Sequence, residues 1–494
     1  MNPLEQAFNA YMNLASAQLR PQQVKASNLF SFELIRSRSI QLRHLVIEIE
    51  MSSEFRELAQ QTLLVSPCED TENAETSRGI EIGTFFRRSR CYTSIYNDET
   101  VDPDTALRDL IAQLRKDEIQ TRYLVPLQSV GFSNDVIEFK DFEIRRFSAE
   151  ELDEILQNDV NEIFYETSCV DVSEIEGYWF IDVKLVETPL TVCASVDDEG
   201  RIWVSEPARH INDLESLSVT DESTAFPGAV ARALDPLILY DWDSVQNMYS
   251  FRGVSLEIPF ILKTNNDLLS RPHSAPEIPP FQVGPFFFDG TEDLSPPDYY
   301  IFIDGAESDS FHAFVTQMNS ILERLKSAES DWNFLEIALL FFRRAFFTPG
   351  LQQLLWHITV IEALVGEDVQ GLTSLLGRRL ALILGKETKK SFQEVYDLRS
   401  TLVHGNEKLL DQKAKENHLH VARKLARQIL VWFLHYLDHV LDKTSINDRT
   451  EIGLPTREDL LAGLDIKIES RERIRHLLRI LPPDFPRTSD WLDQ

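Results

Sequence analysis

Arg399 and His404, with the polar Ser400 beside the arginine at the end of an expected helix, are the residues of this chain whose types and placement suggest chemistry. They lie in Tyr396-Asp397-Leu398-Arg399-Ser400-Thr401-Leu402-Val403-His404-Gly405. Phe392, Val395, Leu398, Leu402 and Val403 recur at helical spacing, and Gly405 suits a C′ position, so the pattern predicts a helix from about Ser391 to His404. An imidazole at the carbonyl end of a helix sits where the macrodipole favours its protonated form, which makes it a competent proton acceptor near neutral pH. A guanidinium grips phosphate oxygens in pairs and keeps its charge. Five residues of ideal helix separate the two side chains by roughly 140°. They converge on one ligand if the last turn unwinds at Gly405 or if a second subunit supplies the other half. The same residues also admit a non-catalytic reading, in which the histidine caps carbonyls and the arginine pairs with Asp397, Glu394 or Glu362.

Amphipathic helices must position this pair. Helical periodicity covers about Asp309 to Ser327, Trp332 to Phe347, Leu351 to Gly366, Leu372 to Leu384, Ser391 to His404 and Lys413 to Leu441. Thr348-Pro349-Gly350 separates the second from the third, and short connections imply an antiparallel bundle over residues 305–445. Upstream, the prolines between Arg271 and Tyr300 exclude a continuing helix or central strand, so residues 271–304 read as a linker. Residues 1–270 read as an acidic, β-rich region, divisible near residue 122. Predicted strands include Leu29–Ile35, Leu45–Glu50, Phe85–Tyr96, Tyr178–Val186, Thr191–Val196, Arg201–Val204 and Leu256–Leu262, with a hairpin around Lys140-Asp141. Thr105 to Lys116 reads as a helix, and Ser148-Ala149-Glu150-Glu151 as a capping-type helix start. A tail, residues 446–494, contains the basic segment Arg471–His476. The fold class expected is therefore α+β: a β-rich N-terminal region followed by an all-α bundle.

Arg399 and His404 fit an R-x4-H signature, and the ten residues around them resemble the Apea-like branch of the HEPN superfamily. Val360-Ile361-Glu362-Ala363-Leu364-Val365-Gly366 and Leu376-Gly377-Arg378-Arg379-Leu380-Ala381-Leu382-Ile383-Leu384 are similar to that branch in the same order. The resemblance implies metal-independent RNA cleavage, with His404 acting on the ribose 2′-hydroxyl or the leaving 5′-oxygen and Arg399 holding the scissile phosphate. It implies supporting roles for Ser400, Glu362 and Asp397, contacts from Arg378 and Arg379 to RNA, tRNA included, and a homodimer with facing R-x4-H helices. No cofactor is implied. Active members often carry Asn, Asp or His directly after the arginine; Ser400 stands there instead, able to hydrogen-bond but not to transfer a proton. The branch is linked with prokaryotic anti-phage defence and abortive infection, which implies a phage-derived trigger sensed by the N-terminal region. Two other expectations are a non-catalytic RNA-binding or dimerisation module and the toxin half of a toxin–antitoxin pair.

The bulk composition narrows the field. A net charge of −31 over 494 residues argues against broad electrostatic capture of nucleic acid. Residues 331–445 carry lysine and arginine in slight excess over acids, so the negative charge resides elsewhere and only this region tolerates RNA electrostatically. The start Met1-Asn2-Pro3-Leu4-Glu5 has neither a basic nor an apolar leader segment, and the best apolar run, Ile337 to Phe342, ends at Arg343-Arg344, so a cytoplasmic location without membrane contact is expected. Cys68, Cys91, Cys169 and Cys193 lack metal or disulfide spacing. His435 and His439 stand at i, i+4, but Trp432, Phe433, Tyr436 and Leu437 mark that face as core-flanking, and no metal centre is expected. Gly371–Gly377 is followed by arginine and not by Lys-Ser/Thr, so it is no P-loop, and no G-x-S-x-G elbow occurs.

Overall fold

The computed structural model describes residues 2–22, 32–66, 73–127, 130–157, 160, 163–164, 172–189, 193–196, 202–205, 226–242, 245, 256, 258–270, 301–326, 332–348, 351–367, 371–403, 412–443 and 457–465. The chain mixes a small antiparallel sheet in its N-terminal half with predominantly helical structure on both sides of it.

The first unit is helical: α1 (Pro3–Leu19), α2 (Phe32–Glu50), α3 (Ser53–Val65), α4 (Ala74–Arg88), α5 (Cys91–Tyr96) and α6 (Pro103–Leu114). This corrects the expectation of a β-rich N-terminus. Leu45–Glu50 alternates like a strand, yet Leu42, Val46 and Ile49 are buried at helical spacing while Ile47 is 52% exposed. Burial, not local β propensity, set the period. Phe85–Tyr96 likewise lies in α4 and α5, with Arg90 in the left-handed region (φ 61°) breaking the two helices apart. Asn2 and Glu5 form a reciprocal capping box that starts α1. Phe8, Tyr11, Phe55, Phe85, Phe86 and Tyr92 fill the core of this unit.

The sheet comprises β1 (Ile119–Leu127), β3 (Val136–Glu138), β4 (Phe142–Arg146), β5 (Trp179–Glu187) and β8 (Leu262–Asn265) in the antiparallel order β3-β4-β5-β1-β8. The expected hairpin at Lys140-Asp141 and strands near Tyr123 and Tyr178 are present. The predicted edge strand at Leu256–Leu262 begins only at Leu262, past Pro259, which cannot donate to a ladder. Short strands β2 (Val130–Phe132) and β9 (Ile301–Ile303) pair in parallel, and β6 (Cys193–Val196) pairs with β7 (Ile202–Ser205). Alternation along the central strands sends Tyr123, Val125, Leu127, Ile181 and Val183 to one face, and Leu124 and Phe180 to the other beneath α7 (Ala149–Leu156). Ser148 and Glu151 form the capping box of α7. A short helix, α8 (Val172–Ile175), follows.

The first of these faces packs on α9 (Gly228–Ile238), and the helices that follow in the chain continue the same core: α10 (Gly305–Lys326), α11 (Asn333–Phe347), α12 (Leu351–Val365), α13 (Leu372–Leu384), α14 (Thr388–Val403), α15 (Gln412–Lys443) and α16 (Arg457–Leu464). The six predicted bundle helices all occur, with ends within a few residues of the expected ones. Residues 271–300 and Arg471–His476 lie outside the described residues. Ile301–Ile303, assigned to the linker, is a strand, and one continuous set of buried residues runs from Tyr123 through the sheet and bundle to Leu461. Sheet and bundle therefore share a core.

A bidentate ion pair fastens that shared core. Arg343 of α11 donates from Nε and Nη2 to Asp235 of α9 at 2.7 and 2.8 Å, with both residues buried. Removing one partner strands a buried charge, whereas replacing both by apolar residues does not. Asp235→Ala should therefore lose about 3–5 kcal/mol of stability. The double variant Asp235→Leu/Arg343→Met should recover most of it, as urea denaturation would measure.

Candidate active site

Helix α14 carries the Arg399 region, and its rotation is fixed by packing. Val395 and Leu398 are buried against Leu354 and Ile358 of α12 and Ala422 of α15, with Leu402 and Leu419 flanking them. The helix begins where the Thr388 hydroxyl donates to the Gly385 carbonyl at 2.6 Å; Gly385 has φ 112°, a conformation suited to glycine. With that face inward, Tyr396, Arg399 and Ser400 are half-buried and Asp397 is exposed. Asp397 accepts from Gln393 on its own helix, 2.8 Å, and makes no contact with Arg399. His404 and Gly405 lie outside the described residues, immediately after the last residue of α14.

Arg399 lies over the ring of Tyr396, its Cζ 5.5 Å from the ring centroid. The Tyr396 hydroxyl donates to Glu362 Oε1 at 3.2 Å. Burial and the neighbouring Glu362 charge push the phenol pKa up, against the opposing pull of Arg399 and Thr373. Glu362 thus reaches Arg399 through an aromatic intermediary and not by a direct ion pair. Among the described residues Arg399 pairs with no carboxylate. Sequence reasoning passed over Tyr396 as a site residue; its position three residues before Arg399, on the same helix face, was the available signal.

Glu362 sits in the last turn of α12, and that turn is held by arginines. The carbonyl of Val365 accepts from Arg379 Nη1 at 2.6 Å, and that of Ala363 from Arg457 Nε at 3.0 Å. The Gly366 carbonyl accepts from Arg457 as well. Cationic donors on orphan carbonyls satisfy both the hydrogen-bonding and the dipole requirements of a helix C-terminus. Gly366 permits the close turn: a Cβ there would stand 2.4 Å from the Glu362 carbonyl oxygen.

These contacts correct the reading of Arg379 as an RNA ligand. Its side chain is fully buried and committed to Asp465 and Glu367. Helix periodicity could not distinguish it from its neighbour. Arg378 is half-exposed and bonds Asp465 at 2.7 Å. His435 is partly buried, and that burial lowers its pKa despite nearby Asp438, which is engaged by Arg324. Among the described residues no group of three or more His, Cys, Asp or Glu is placed to hold a metal ion, and no helix is long and apolar enough to cross a membrane. Comparison with protein-family models, curated proteins and solved structures finds no match to this chain.

The clasp has a pH signature. Burial opposes ionisation of Asp465, but the hydrogen bonds and charges of Arg379 and Arg378 outweigh it and hold the carboxyl below its ordinary value. A carboxylate with a depressed folded-state pKa stabilises the fold above its unfolded value, about 3.9, and that contribution is lost as pH falls through the folded value. The melting temperature of Asp465→Asn should lie below wild type at pH 7. The gap should narrow as pH drops below about 4, near the unfolded carboxyl pKa.

Proposed function

We propose that the chain is a metal-independent endoribonuclease of HEPN type, working as a homodimer with Arg399 and His404 as its catalytic pair. The observation that carries this reading is the state of Arg399: half-buried, aimed by Tyr396 and Glu362, and unpaired with any carboxylate among the described residues. A structural arginine at such a position would be expected to carry a salt bridge, as Arg379 and Arg343 do. The motif that fixes His404 five residues later, and its placement in an antiparallel bundle, support the same assignment.

RNA brings its own nucleophile, so the protein needs only proton transfer, alignment and charge neutralisation. One imidazole takes the proton of the ribose 2′-hydroxyl as that oxygen attacks phosphorus. The 5′-oxygen departs and receives a proton from an acid, a role the histidine of a facing protomer fills. Arg399 offsets the charge developing on the phosphoryl oxygens. The products are a 2′,3′-cyclic phosphate and a 5′-hydroxyl. In this reading Arg378, with one side open, is the remaining candidate for a peripheral phosphate contact, and the acidic N-terminal half restrains the nuclease until a trigger, phage-derived in the reading the resemblance suggests, arrives.

Purified chain incubated with mixed RNAs in excess EDTA should yield fragments with cyclic-phosphate ends, while DNA stays intact. His404→Ala should lower the rate by about 10²–10⁴. Arg399→Ala should do the same, and Arg399→Lys should restore only part. Fragments that persist undiminished in His404→Ala, or a wild type that binds RNA without cutting it, would replace this reading with a non-catalytic binding module.

A further inference from the structure

A cleft of about 1150 Å³ lies between the β3–β4 hairpin, β5, α9, α10 and α11, and no residue of the Arg399 helix lines it. Its floor is apolar: Phe142, Val183, Ala229, Leu322 and Leu339 are buried there. Most of the charges on its walls are already paired. Lys140 of the hairpin bonds Glu323 of α10 at 2.7 Å, Lys184 bonds Glu143 at 3.1 Å, and Arg343 holds Asp235. Two lining cations, Arg232 of α9 and Lys326 of α10, form no ion pair with any described residue.

These two cations stand close enough to repel. The cleft walls desolvate the Lys326 ammonium, and Arg232 disfavours its charge further; both effects lower its pKa, while Asp235, Glu323 and Asp141 only partly oppose them. Two of those three carboxylates are committed to Arg343 and Lys140. On the same helix as Lys326, Asn319 lines the cleft with a buried amide nitrogen that has no hydrogen-bond acceptor among the described residues. The lining also carries acids that form no ion pair with a described residue, Glu138 and Asp141 on the hairpin and Glu336 on α11, and Asp141 lies near Glu323 and Lys326.

We propose that this cleft binds a small organic anion, its phosphate or carboxylate head held by Arg232 and Lys326 with Asn319 donating, and its apolar or aromatic body laid on the Phe142–Leu339 floor. An anion between two like charges relieves their repulsion and gives the buried Asn319 amide an acceptor, the two cations themselves being exposed to solvent. The volume, just above the range of ordinary small-molecule sites, accommodates a ligand of nucleotide size. This assignment does not depend on the ribonuclease reading.

The test uses the full chain and 8-anilinonaphthalene-1-sulfonate, a fluorescent probe with one fixed anion on an aromatic body. A saturable site is expected, with affinity falling about tenfold in Arg232→Gln and again in Lys326→Gln, the loss of one charge-assisted hydrogen bond each. Lys390→Gln, a fully solvated lysine on α14, should leave it unchanged. Displacement by adenosine monophosphate but not by decanoate identifies the head as a phosphate, and the reverse identifies a carboxylate. Melting curves on each variant separate lost binding from lost fold. Absence of a saturable site, or equal affinity in wild type and the folded double variant, would overturn the proposal.

Discussion

The arginine-held C-terminus of α12 is the constraint on which the candidate site depends. A helix end exposes carbonyls that must find donors, and here Arg379 from α13 and Arg457 from α16 supply them. That single arrangement ties three helices together and fixes the turn carrying Glu362. Glu362 then places the Tyr396 hydroxyl, and the Tyr396 ring places Arg399. The chain of dependence runs from the partly buried Asp465 to the Arg399 guanidinium, which has no carboxylate partner among the described residues. The link from Glu362 to Tyr396 is a 3.2 Å hydrogen bond, and that from Tyr396 to Arg399 is a cation–ring contact of 5.5 Å. Arg379 is buried and neutralised, whereas Arg399 is half-buried and pairs with no carboxylate among the described residues.

How much of this was legible beforehand depends on the kind of information each residue carries. Bundle helices declare themselves because their apolar stripes repeat over several turns, and the break between α11 and α12 was readable from Thr348-Pro349-Gly350. The N-terminal helices were misread because a short run such as Leu45–Glu50 satisfies both the two-residue and the 3.6-residue period. Only the partners it packs against decide between them, and those partners, Phe8 to Phe86, are distant in sequence. The same limit explains Arg378 and Arg379. Adjacent arginines on a helix point about 100° apart, so one faced solvent and the other the core, but no local rule said which. Tyr396 was missed because its role comes from Glu362 on another helix.

The division into sheet and bundle was drawn at the proline-rich segment because prolines interrupt regular structure. Interrupting secondary structure does not interrupt packing. Beyond that segment β9 returns to pair with β2, and the Asp235–Arg343 pair joins a helix before it to a helix after it. The coarse α+β class survived the error because it needs only the presence of strands and helices; the β-rich N-terminus did not. Domain division is a statement about which surfaces stay wet, and an apolar sheet face opposite apolar helices has a strong reason not to stay wet.

Charge sets the terms on which such a chain can meet RNA. At −31 overall, the surface repels a polyanion, and affinity from broad counterion release is out of reach. On the proposed ribonuclease reading, recognition would come from a small number of directed contacts, with guanidiniums at Arg399 and Arg378 within the near-neutral bundle. A few directed cations give up non-specific affinity and gain dependence on geometry, since each must meet its phosphate without help from a surrounding field. Pairing two such helices across a dimer would double the cations at one phosphodiester while leaving the acidic exterior unchanged. For an acidic protein this is a more economical route to a phosphate-binding groove than a basic surface would be, and it places the demand on the packing of α12 against α14.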